Sequence, residues 1–149
     1  MSRLSDWTDG GDFEDADLTA VVETAGVGPV RKTISKMRKF VGVAPGRDFS
    51  ADTSLTLDDI GAVLIHPSAD TTARVVTVPA NASVAFPVRT VITITNLNGA
   101  GVVTIAITSD TMRLSGPGTT GSRTLADNGV ATLIKVAATE WIIFGSELT

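Results

Sequence analysis

Two runs of alternating side chains constrain this chain more than any other feature. In Ile92-Thr93-Ile94-Thr95 and in Val103-Thr104-Ile105-Ala106-Ile107-Thr108, large aliphatic residues interleave with small or hydroxyl-bearing ones. A period of two puts one set on each face of an extended strand. The same residue types continue through the C-terminal part: of 21 threonines, 17 lie after residue 50. Thr, Val and Ile are branched at Cβ and suit an extended, half-buried backbone. Aromatic residues make up only 5% of a chain that is 43% hydrophobic, so the core must be aliphatic and the protein mainly β.

Eight candidate strands follow from this pattern, at 62–66, 73–78, 90–96, 102–108, 111–114, 122–125, 131–136 and 140–144. Asn98-Gly99-Ala100-Gly101 and Asp127-Asn128-Gly129 carry the glycines that hairpin loops with positive φ require. Ala137-Ala138-Thr139 joins the last two runs. Short strands at close spacing, with no helical pattern between them, predict an antiparallel β-sandwich or jelly-roll-like domain over residues 51–149.

The first 50 residues differ in charge. Residues 1–23 carry seven acids and one base, and residues 31–47 carry six bases and no acid. Gly42, Pro45 and Gly46 interrupt any regular element, and the boundary between an N-terminal segment, 1–50, and the β domain is drawn there. Within that segment, 18–23 reads as a strand, Ala25-Gly26-Val27-Gly28-Pro29 as a turn and 30–33 as a returning strand. Thr33 can cap a helix from Ile34 to about Val41. That helix would set Ile34, Met37, Phe40 and Val41 on one side and Lys32, Lys36 and Lys39 on the other. Residues 1–17 hold Trp7 and Phe13 among acids and glycines and are expected to order only against a partner.

Composition excludes several chemistries. The chain has no Cys, so thiolate catalysis, Cys-ligated metals and disulfides are ruled out, and its single histidine, His66, rules out a His-rich metal centre. No run approaches 18 apolar residues, so no transmembrane helix and no membrane insertion are expected, and the acidic start is unlike a signal peptide. A net charge of −4 argues against nucleic acid. No cofactor is expected.

The remaining polar motifs favour structure over catalysis. Asp58 and Asp59 are adjacent, which on a strand would point them to opposite faces, and they read as closing a turn before the sheet. Ser68, His66 and Asp70 can be written as a triad, but three residues within five positions rarely reach triad geometry, and His66 reads as a strand-end residue. The Gly116–Gly121 stretch reads as a loop, long and polar enough for recognition. Trp7 and Phe13 read as interface anchors, with ordinary packing on the protein body as the other reading. In the last strand Trp141 and Ile143 face one way, Ile142 and Phe144 the other, and neither face is polar. Such a strand is either central in a sandwich or buried between subunits.

The stretch Asp70-Thr71-Thr72-Ala73-Arg74-Val75-Val76-Thr77-Val78-Pro79, followed by Ser83-Val84-Ala85-Phe86-Pro87-Val88, resembles the β domains of tailed-bacteriophage fibres and related virion proteins. So do Ile94-Thr95-Asn96-Leu97-Asn98-Gly99-Ala100-Gly101-Val102-Val103-Thr104-Ile105 and, near the end, Ala138-Thr139-Glu140-Trp141-Ile142-Ile143. The resemblance covers roughly residues 52–149, and the N-terminal strands and helix look like virion-proximal fibre segments. It implies a non-enzymatic structural component of the virion, made in the host cytoplasm and commonly a homotrimer. Residues 1–50 would attach to capsid or tail proteins through Trp7, Phe13, Leu18, Met37 and Phe40. The β domain would project outward, with Trp141, Ile143 and Phe144 at the contacts between copies. Receptor-binding fibres are usually longer, so a capsid decoration protein fits the length as well. A glycan-binding module, using loops near Asn81, Asn98 and Gly116–Gly121 with Phe86 nearby, is the second reading, and a depolymerase the third.

Overall fold

The alternating runs do form strands, but they do not pair as a hairpin. The structure, a computed structural model, describes the backbone of residues 19–24 and 27–33 and all of residues 44–149. The chain divides into two units, Met1–Val43 and Ala44–Thr149, so the second unit begins ahead of residue 51. In the first, β1 (Thr19–Thr24) and β2 (Val27–Thr33) pair antiparallel, with Ala20 opposite Lys32 and Val22 opposite Val30. Val27, Gly28 and Pro29, expected in a turn, belong to β2. The helix expected from Ile34 to Val41 lies outside the described residues.

The second unit is mainly β. Its strands are β3 (Gly46–Asp48), β4 (Thr53–Ser54), β5 (Val63–His66), β6 (Arg74–Val78), β7 (Val91–Asn96), β8 (Val103–Ile107), β9 (Thr111–Leu114), β10 (Arg123–Ala137) and β11 (Glu140–Leu148). One 3-10 turn, Leu57–Asp59, interrupts them, and no α-helix occurs among the described residues of this unit.

Their order corrects the expected antiparallel pairing. β3, β5 and β7 form one parallel ladder, and β4, β6 and β8 form another. Val63 stands opposite Thr93 and Arg74 opposite Val103, so β5 with β6 is laid over by β7 with β8 about thirty residues later. Consecutive strands therefore belong to different ladders, and each short connection turns a corner. Asn98-Gly99-Ala100-Gly101 makes such a corner, not a hairpin.

The long strand β10 joins the ladders. Its first residues pair with β8 (Leu125 opposite Val103) and its later ones with β7 (Leu133 opposite Ile92). Both contacts are antiparallel, as is the β10–β11 hairpin, in which Ala137 faces Glu140 across the expected short turn. β9 adds to β11 in parallel. Asp127-Asn128-Gly129, expected to reverse the chain, instead forms an irregularity inside β10. The register with β11 slips between Leu125 and Val130, and Asn128 takes a positive φ of 58°.

The result is one curled, open sheet, half a barrel, whose end strands β3 and β4 do not meet. Its inner side buries one core drawn from both ladders and the hairpin, including Leu64, Val76, Ile94, Ile105, Leu133 and Trp141. Burying an aliphatic side chain of this size contributes about 1.5–3 kcal/mol.

Candidate functional site

The corners of the sheet hold its most concentrated polar chemistry. Asp48 pairs with Ile65, and His66 pairs with Asn96, so the ends of β3, β5 and β7 stack Phe49, His66 and Asn96 on one another. The Phe49 and His66 rings lie 5.2 Å apart and nearly parallel, at 16°. His66 and Asn96 are fully buried. Nδ1 of His66 faces two acceptors, Oδ1 of Asn96 at 3.0 Å and the Gly101 carbonyl at 3.1 Å, and therefore carries a proton. Nε2 faces Oδ2 of Asp70 at 3.1 Å. Asn96 donates its amide protons to the carbonyls of Gly101 (3.0 Å) and Leu125 (3.2 Å), tying the corner to β10.

Arg74 closes the outer side of this cluster with a two-pronged contact on Asp70, Nε to Oδ2 at 2.7 Å and Nη2 to Oδ1 at 3.2 Å. The Arg74 hydrogen bonds hold the Asp70 carboxyl well below the usual range, helped by the Thr72 backbone and His66 against the cost of burial. Asp70 in return raises Arg74. Ser68 is exposed and is not among the partners of His66, so the triad written from the sequence is not assembled. With both ring nitrogens occupied, the cluster is built to fix the corner. Among the described residues no three His, Asp or Glu side chains group as metal ligands would.

A second cluster opens the unit. Asp59 is buried and accepts from Nε of Arg47 at 2.9 Å and from the Thr56 amide at 2.8 Å. Burial pushes its carboxyl up, but the bonds and charge of Arg47, with those of Thr56, outweigh this and leave it lowered. Asp58 is exposed beside it in the 3-10 turn. The turn expected at this pair is present, and the two carboxylates do different work.

Lys135 is the third. It is 1% exposed, its Nζ lies 5.2 Å from the centre of the Trp141 ring, and it donates to Oδ1 of Asn81 at 2.8 Å. Burial lowers its ammonium, with Asp110 opposing. A lysine inside an aliphatic strand left no periodic signal in the sequence, and Lys135 was missed for that reason.

Phe86 is buried against Trp141, ring centres 5.5 Å apart at 78°, so it presents no ring to a sugar. The loop at Gly116–Gly121 is tied down by Arg113, which donates to the Gly118 carbonyl at 3.1 Å, and by Arg123, which donates to Thr119. Asn98 accepts from Asn128 at 3.2 Å.

Of the three expected contact residues in β11, Trp141 and Ile143 are fully buried within this chain. Another copy cannot reach them, which corrects that assignment. The alternation itself holds: Phe144 points outward and is 43% exposed. It begins a row that crosses four strands, Phe144, Thr132, Thr93 and Val63. Neighbouring rows run Ile142, Ile134, Val91 on one side and Val130, Thr95, Ile65 on the other. Trp7, Phe13, Leu18, Met37 and Phe40 lie outside the residues whose side chains are described. No helix among the described residues is long and apolar enough to cross a membrane.

No protein-family model, no curated protein and no solved structure matches this chain.

Proposed function

We propose that this protein is a non-enzymatic structural component of a tailed-phage virion, a short homotrimeric fibre or knob. Its first unit attaches to capsid or tail proteins, and its second projects outward. The observation that supports this reading most is how the second unit uses its chemistry. Its interior histidine, asparagine and carboxylates bond one another across stacked strands, which suits a rigid body rather than a reaction centre. The resemblance of roughly residues 52–149 to fibre β domains points the same way, as do the uncharged rows at the centre of the outward face of β5, β7, β10 and β11. The two parallel ladders, curled about one core, serve as the facing layers of a sandwich-like body.

Attachment is tested on particles. Trp7→Ala combined with Phe13→Ala should remove the protein from assembled virions while the circular dichroism of the purified chain stays that of a β protein. Retention of the double variant in particles would end the anchoring role. A capsid decoration protein is the alternative that shares this prediction, and labelling of intact particles in electron micrographs separates head from tail. Attachment to a host glycan is the weaker reading, because Phe144 is the one exposed aromatic ring among the described residues of the second unit.

A further inference from the structure

The three rows centred on Phe144, Thr132 and Thr93 contain no charged side chain; at their edge Arg113, beside Ile142, pairs with Glu140 at 3.0 Å. At the Val91 end the apolar surface continues. The Gly61 amide donates to the Val91 carbonyl, bringing up Ile60, and the Arg89 amide donates to the Lys135 carbonyl, bringing up Val88 beside Val136. Ile60, Val88 and Val136 are 39%, 51% and 40% exposed.

Strand and residue spacings make the three rows roughly 14 Å on a side between Cα atoms, or about 400 Å² with side chains. That lies within the ~300–600 Å² of the largest patch on an ordinary monomer, and the Val88 end enlarges it toward, without reaching, the ~800 Å² that each partner brings to a standard interface. In the middle, Oγ1 of Thr93 and of Thr132 lie 3.4 Å apart, so one hydroxyl can donate to the other. Covering them costs less than drying two free hydroxyls, with one remaining proton to be met across the contact.

We propose that this face of β5, β7, β10 and β11 is where copies of this chain meet, an assignment that rests on the self-association put forward above. The charge pattern selects a copy of this chain over other partners. An identical acidic chain laid on these rows meets no unpaired acid: Glu140 at their edge is paired with Arg113, and Arg89 beside Val88 is a cation. A nucleic acid or a strongly charged protein would find nothing in these rows to pair with.

The test is the solution mass of the full-length chain by light scattering, with two variants. Phe144→Glu puts a charge into the face at an exposed position. Thr104→Glu puts the same charge on the outward side of β8, in the other ladder. The wild type should weigh three times 15.4 kDa, about 46 kDa, and Thr104→Glu should match it. Phe144→Glu should fall to the monomer mass while keeping a cooperative thermal transition. If Phe144→Glu unfolds, Val130→Lys, at a position 39% exposed, is read in its place. A folded face variant that keeps the wild-type mass overturns this assignment and leaves self-association standing. A wild type that is monomeric throughout removes both.

Discussion

Asn96 bonds three ways at once: its Oδ1 faces His66, and its amide reaches the Gly101 and Leu125 carbonyls. Truncation would take the amide partner from the buried Leu125 carbonyl and leave His66 Nδ1 and the Gly101 carbonyl only each other. Asn96→Ala should therefore lower stability by about 2–3 kcal/mol, read as a shifted urea midpoint. An unmoved midpoint would mean the corner is held by strand packing alone. Acid should act through Asp59 and Asp70. Both carboxyls are lowered in the folded protein, so the stability they contribute is fully present above their unfolded values near pH 4. It is lost as the pH falls through the lower folded values. Asp59→Asn should flatten the fall in urea midpoint between pH 5 and pH 2; an identical slope would clear Asp59 of the effect. At this scale the sequence showed His66 at a strand end and Asp58–Asp59 in a turn. It did not show Arg47 meeting Asp59 or Asn96 meeting His66, because those partners are 12 and 30 residues apart.

The connections decide the elements. Alternation in 91–96 and 103–107 was enough to place strands and to say which side chains face inward, since period two is a local property. Choice of partner is not local. A glycine-bearing turn can close a hairpin or turn a corner, and Gly101 shows which applies. A Cβ there would collide with the carbonyl of Thr72, from the connection stacked alongside. Gly101 also lends its own carbonyl to His66 and Asn96. Gly101→Ala should cost on the order of 1–3 kcal/mol, the range for overpacking, whereas in an open hairpin loop it would cost little. A melting temperature within error of wild type would argue against the stacked corner. Asp127-Asn128-Gly129 misled in the opposite way, because its turn-forming residues serve a bulge in a strand that continues past them.

For the whole molecule, a mainly β body with an aliphatic core was legible from Thr, Val and Ile content alone. Its candidate contact face was legible only in part. Alternation in β11 separated Phe144 from Trp141 and Ile143, but which of the two faces met the core depended on strands that come earlier in the chain. The neutral surface that results spans four strands and has no counterpart in any single stretch of sequence. Self-association is the claim on which the fibre reading stands, so the most direct measurement is the light-scattering mass of the wild-type chain across a dilution series. The account predicts about 46 kDa, held as concentration falls to the micromolar range. A mass of 15.4 kDa at every concentration would contradict it.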